Sequence, residues 1–239
     1  MSITVDIWTD INCPFCYLGK GRFEQALSQF PARDDVTVVH RSFELDPTLS
    51  VDASGSVEEH IAQKYGISVE EAQANERNVA AQATELGLAY RTSGRDFGSS
   101  FDMHRLLHFA LTVGKQAELL DSLYAGNFAD DQTLFGDHER LVTVAVRAGL
   151  DETDVRAVLD DPDAHAEDVR RDEQEAASIG VTGVPFFVFG GKYAVSGAQP
   201  TEIFTRALQL VSEEQLTTLD AQSAQVCGPD GCAVPGTQD

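Results

Sequence analysis

The chain has 239 residues, 42% of them hydrophobic and 8% aromatic. That is enough for one large domain, or a domain with an insertion, whose core needs no covalent staples. Asp and Glu number 39 against 17 Lys and Arg, a net charge of −22, and such a surface repels nucleic acid and anionic membranes. No apolar run approaches the ~18 residues of a membrane span, and the first residues lack the basic and apolar regions of a secretory signal. A cytoplasmic protein without nucleic-acid or membrane partners is therefore expected.

In ITVDIWT, Ile3, Val5 and Ile7 alternate with the period of a strand, and Trp8 is expected to pack in its sheet. NCPFC follows, and then Phe23, Leu27 and Phe30 recur at helical spacing. The first two of the four cysteines, Cys13 and Cys16, thus sit where a strand turns into a helix. Residues 36–45, VTVVHRSFEL, read as a second strand, parallel to the first across the helical crossover. From about residue 57 to 179 the pattern is helical. Ser56 and Ser68 each open an SVEE capping box, Gly66 and Gly87 end the two segments, and further helices are expected near 101–113, 116–126, 136–148, 152–160 and 164–179, with no strand required.

The β pattern returns in VPFFVFGGKYAVSG, as strands 186–189 and 192–195 around a two-residue Gly-Gly turn. A helix beginning near Pro200 closes the pattern. The order β-α-β, helices, α-β-β-α predicts an α/β thioredoxin-like fold with an all-helical insertion. The thioredoxin-like domain is expected over 1–56 and 180–215, the insertion over 57–179, and a Gly- and Pro-rich tail over 216–239 that carries Cys227 and Cys232.

A thiol attacks a disulfide only as thiolate, and a free cysteine has a pKa near ~8.5. At a helix N-terminus the unpartnered N–H groups and about half a positive charge favour the anion. If Cys13 opens the helix, its pKa is expected to fall to between ~3.5 and ~7.5. Pro14 suits the first turn, and Pro14 and Phe15 would tune the charge. Cys16, one turn on and on the same side, would resolve the mixed disulfide formed at Cys13. Three other readings stay open: a zinc site using all four cysteines, a structural disulfide, and chance. The first needs pairs some 210 residues apart, the second of them with an unusual four-residue gap. The second gains little from so short a loop. No metal site is expected.

His104 and His108 lie one turn apart in FDMHRLLHFA. A metal pair would need further ligands, and none has matching spacing nearby, so a packed or groove-lining helix face is the simpler reading.

NCPFCY together with GVTGVPFFVFGGKYAVSGAQP resembles the DsbA-like thioredoxin superfamily, most closely its FrnE-like branch, along nearly the whole chain. The resemblance implies a thiol–disulfide oxidoreductase, a reductase or isomerase acting on disulfide-containing proteins or small thiols. It would need no cofactor beyond its cysteines, with a low-molecular-weight thiol as a reductant. It implies a cis bond between Val184 and Pro185, facing Cys13 and leaving the Val184 backbone to pair with an extended substrate. It implies that the helix of His104 borders the redox groove, where His104 would act on the thiolate or contact substrate. It also implies that Cys227 and Cys232 form an auxiliary redox pair. The same superfamily holds glutathione-dependent 2-hydroxychromene-2-carboxylate isomerases and kappa-class transferases, the alternative reading. Those carry serine where this chain has Cys13.

Overall fold

The computed structural model describes residues 3–50 and 52–224. In chain order the elements are β1 (Ile3–Thr9), α1 (Pro14–Ser28), β2 (Val36–Ser42), β3 (Ser54–Ser56), α2 (Val57–Tyr65), α3 (Val69–Glu85), β4 (Asp96–Gly98), α4 (Phe101–Thr112), α5 (Gln116–Phe128), α6 (His138–Arg147), α7 (Glu152–Asp160), α8 (Ala166–Ser178), β5 (Phe186–Phe189), β6 (Tyr193–Ser196) and α9 (Thr201–Ala224).

The central sheet runs β2-β1-β5-β6. β1 and β2 are parallel, with Ile3 opposite Val36 and Thr9 opposite Ser42, as the α1 crossover requires. β5 lies antiparallel on the other side of β1, and its hairpin with β6 completes the sheet. On one face Ile3, Val5, Ile7, Phe187 and Phe189 pack with Phe23 of α1 and Phe204 and Leu208 of α9. The Phe187 and Phe204 rings stand 4.6 Å apart, and Phe23 meets both. On the other face Trp8, Phe186 and Val188 pack with Ala176 and Val181, and the indole N–H donates to the Asp172 carbonyl. The helices from α4 to α7 close around a second core that includes Leu106, Leu119, Leu123, Phe128, Leu141 and Val155. Cys13 and Cys16 belong to this second core.

Four expectations are corrected in detail. The inserted stretch does contain a strand, β4, paired antiparallel with β3. Both are three residues long and lack the apolar alternation that marks a strand. The Asp96 carboxylate secures β4 by accepting the N–H groups of Leu134 and Phe135. The second strand stops at Ser42, one residue before Phe43, whose N–H makes the ladder bond to the Thr9 carbonyl. The β5–β6 loop has three residues, because Phe189 pairs with Tyr193. Gly190 and Gly191 both take positive φ, and Lys192 N–H returns to Phe189; side chains rarely adopt that conformation, which makes the pair of glycines the signal for the turn. Finally, α9 continues to Ala224, past the bound expected at 215, because no Gly or Pro interrupts residues 201–227.

Both predicted helix starts are present. Ser68 forms the reciprocal capping box with Glu71, whereas Ser56 accepts from Glu59 N–H but donates its own hydroxyl to Glu58.

His40, on β2, is wholly buried. Burial first, and the nearby Lys20 charge second, lower its pKa from 6.5 to about 3. The native state thus binds fewer protons here than the unfolded chain between those values. The stability is fully present above pH 6.5 and is lost as pH falls toward 3. We expect His40→Phe, which places a ring that cannot titrate, to show a shallower loss of stability than wild type over that range. The difference should reach a few kcal/mol, at ~1.4 kcal/mol per unit of pKa separation. Urea denaturation at pH 7, 5 and 4 checks this; parallel curves would rule it out.

Candidate redox site

Cys13 is the N-cap of α1 and Pro14 its first residue. Proline fits there because that position has no N–H partner to lose. The Cys13 N–H donates to the Asp10 carbonyl at 3.1 Å, and the Cys13 carbonyl accepts from Cys16 N–H at 3.0 Å and Tyr17 N–H at 3.3 Å. The main chain therefore holds the first thiol at the mouth of the helix with the second one turn in. Both cysteines are free thiols.

The Cys13 side chain does not cap the helix. Its Sγ donates instead to the Val184 carbonyl at 3.6 Å. Cys13 is 4% exposed, which is less open than an attacking sulfur calls for. The group lying against it is main chain of the loop before β5.

The Val184–Pro185 bond is cis. Trp8 pairs with Phe186 across β1 and β5, so Pro185 is delivered to the end of β1, beside the turn that carries Cys13. The Pro185 carbonyl is held by Gly197 N–H at 2.8 Å. Gly19 of α1 permits the close packing of helix and proline: a Cβ there would lie 2.9 Å from Pro185 Cγ. Beside this loop is a cleft of about 290 Å³ lined by Gly180, Thr182, Val184, Pro185 and Ser196.

Cys16 is 1% exposed. Burial pushes its thiol well above the usual range, the hydrogen bond with Cys13 pushes the same way, and a hydrogen bond from Thr9 opposes them. Asp10 is also wholly buried. Burial alone would raise its carboxyl, but the His104 ring beside it, with the Leu45 N–H and Ser100, holds it below the usual range. One carboxylate oxygen accepts Asn12 N–H at 3.1 Å and the other accepts Leu45 N–H at 2.7 Å.

The inserted helices hold this turn from the other side. Asn127 donates to the Ile11 carbonyl at 2.7 Å, and Asn12 donates to the Gly98 carbonyl at 2.8 Å. The Tyr17 ring stacks on Phe128, with centroids 5.0 Å apart. Behind Phe128 the Arg95 guanidinium lies 4.5 Å from the ring and pairs with buried Glu76.

Of the residues expected from sequence, Cys13, Cys16, Pro14, Val184 and Pro185 come together in one place, and Phe15 stands out beside them, 49% exposed. His104 is wholly buried, with Nε2 3.7 Å from the Asp10 carboxylate and no hydrogen-bond partner at either ring nitrogen. The expected substrate contact of His104 is thus corrected: α4 turns it inward under the loop. His108 is packed against Asp172 and Ser42, both 3.1 Å from its Nε2. Cys227 and Cys232 lie outside the described residues. Among the described residues no three of His, Cys, Asp and Glu are grouped to hold a metal, and no helix is long and apolar enough to cross a membrane. Sequence reasoning missed Thr9, Asp10, Tyr124 and Asn127. Asp10 carried a faint signal, a carboxylate at the end of an apolar strand and three residues before a thiol; the others carried none, being polar residues whose partners are far off in sequence.

A family model for the DSBA-like thioredoxin domain matches residues 4–209. A probable DsbA oxidoreductase from Streptomyces coelicolor is 54% identical, with 98% of this chain and 100% of that one covered and a TM-score of 0.86. An uncharacterized protein, YwbO, from Bacillus subtilis is 26% identical over 90% of this chain and 98% of its own. The cytosolic disulfide reductase DsbM of Pseudomonas aeruginosa, at 14% identity, shares the fold, with a TM-score of 0.58 over 90% of this chain and 99% of that one.

Gly19→Val should drive Pro185 and Val184 away from Cys13. Because displacements near 1 Å at a reacting centre cost on the order of 100-fold, we expect disulfide exchange to slow at least tenfold while the far-ultraviolet circular dichroism stays native. Retention of the wild-type rate would show that the proline's seat against α1 does not matter.

Proposed function

The chain belongs to the DSBA-like thioredoxin family, and on that premise we propose that it is a cytoplasmic thiol–disulfide oxidoreductase of the FrnE-like branch, working mainly as a disulfide reductase or isomerase. The observation that carries this reading is the free Cys13–Cys16 pair opening α1 against the cis Val184–Pro185 loop.

The Cys13 thiolate attacks a target disulfide, forming a mixed disulfide and releasing one target thiol. Cys16 then attacks Cys13 Sγ. The Cys13–Cys16 bond forms, the bond to the target breaks, and two electrons leave with the target, which is reduced. Two equivalents of a low-molecular-weight thiol restore the dithiol and become a disulfide. An incoming extended segment would take over the Val184 main chain and lift it from Cys13, with exposed Phe15 as an apolar contact. The reducing direction follows from a reducing compartment. The thiol-dependent isomerase alternative is disfavoured by a cysteine where those relatives carry serine. Cys227 and Cys232 would serve as an auxiliary pair that exchanges with the main site.

With insulin as target, Cys13→Ser should lose at least 100-fold in reduction rate. Cys16→Ala should accumulate a stable one-to-one mixed disulfide, visible by intact mass without reductant. Equal rates for wild type and Cys13→Ser would remove the proposal.

A further inference from the structure

The resolving step, which rests on the redox reading above, poses a chemical problem. Cys16 is 1% exposed yet must become a nucleophile, and the burial of a sulfur in apolar surroundings opposes its ionisation. The groups that bear most on Cys16 are Cys13, Thr9 and the Asp10 backbone, none of them a cation. The Asp10 carboxylate is already engaged by Asn12, Leu45 and His104.

Thr9 ends β1 and Tyr124 comes from α5, 115 residues away, and their hydroxyls are hydrogen-bonded to each other in the interior. Thr9 is 2% exposed and Tyr124 0%. Such groups are rarely left in an apolar core without purpose, since burying each costs free energy unless its hydrogen bonds are made. Tyr124 and Cys16 share one buried core, and the Thr9 hydroxyl favours the ionised form of the Cys16 thiol against its burial. A hydroxyl has one proton to give. If Thr9 donated to Tyr124, none would remain for Cys16. If Tyr124 donates to Thr9, the Thr9 proton is free to point at the sulfur. The phenol is the more acidic of the two hydroxyls, and burial, then the charge of Cys16, push its titration well above the usual range, so it stays a donor.

We propose that Tyr124 and Thr9 are positioning residues for resolution: Tyr124 O–H donates to Thr9 Oγ1, and Thr9 O–H donates to Cys16 Sγ as that sulfur attacks the mixed disulfide. In the step, Cys16 Sγ bonds to Cys13 Sγ and the Cys13–target bond breaks. The pair is oxidised, the target sulfur leaves with the electron pair, and the Cys16 proton ends on that leaving sulfur. The Thr9 hydroxyl holds the sulfur while its charge is unneutralised. Tyr124 belongs to the inserted helices, so the insertion takes part in releasing targets.

The test uses 5,5′-dithiobis(2-nitrobenzoate) as the disulfide in stopped flow, with full-length reduced protein. Attack by Cys13 releases the first thionitrobenzoate; attack by Cys16 releases the second. We expect Thr9→Val and Tyr124→Phe to slow the second release on the order of ten- to a hundredfold, the worth of a hydrogen bond to a charged atom, and to slow the first far less. Thr9→Ser, which keeps the hydroxyl, should restore the second phase to within about threefold, an outcome that packing alone would not produce. The inference is overturned if folded Thr9→Val keeps a wild-type second phase, if both phases slow equally, or if Thr9→Ser is as slow as Thr9→Val. Tyr124→Phe, should it fail to fold, leaves the Thr9 pair of variants decisive. Failure of the redox reading looks different: wild type itself would then release no second thionitrobenzoate, or Cys16→Ala would still release it.

Discussion

Asp10 is wholly buried, and its hydrogen bonds tie together the turn that carries Cys13. Its carboxylate accepts Asn12 N–H and Leu45 N–H and faces His104, while its carbonyl accepts Cys13 N–H. One residue thereby ties the end of β1, the strand-to-helix turn, the segment after β2 and the inserted helix α4. A buried carboxylate without such partners would be strongly destabilising, whereas a fully hydrogen-bonded one specifies a single local conformation. The position of the first thiol is a consequence of that network rather than of cysteine packing.

The insertion is a structural half of the site. Asn127 grips the Ile11 carbonyl, Gly98 receives Asn12, and Tyr124 reaches Thr9 under the second thiol. The two cysteines accordingly pack with Met103, Leu107, Tyr124 and Phe128 and not with the core between the sheet, α1 and α9. Arg95 stiffens this wall. It is paired with Glu76, bonded to the Tyr90 hydroxyl and stacked on Phe128, and the charge is buried only because each of its faces has a partner.

Surface charge plays little part in the chemistry. A net charge of −22 is screened within about 10 Å in physiological salt, while the groups that decide the state of the thiols are in contact with them. Burial acts on Cys16, and the Val184 carbonyl lies against Cys13. The site is built from local dipoles and hydroxyls.

Local features were legible along the chain. The alternation of Ile3, Val5 and Ile7, the Ser68 capping box, the glycine pair at the hairpin and the C-P-F-C turn each state their structure within a few residues, because strand period, helix caps and positive φ are short-range properties. From these the α/β order and the placing of a cysteine pair at the head of α1 could be read. The short strands β3 and β4 could not, since their pairing depends on partners some 40 residues apart with no apolar pattern. Nor could the inward turn of His104, or the meeting of Thr9 with Tyr124 across 115 residues. A hydrogen bond across such distances leaves no trace in either segment alone. It exists because the packing of α4 and α5 against the end of β1 excludes water there, and every polar group enclosed must find its partner among whatever the fold brings near.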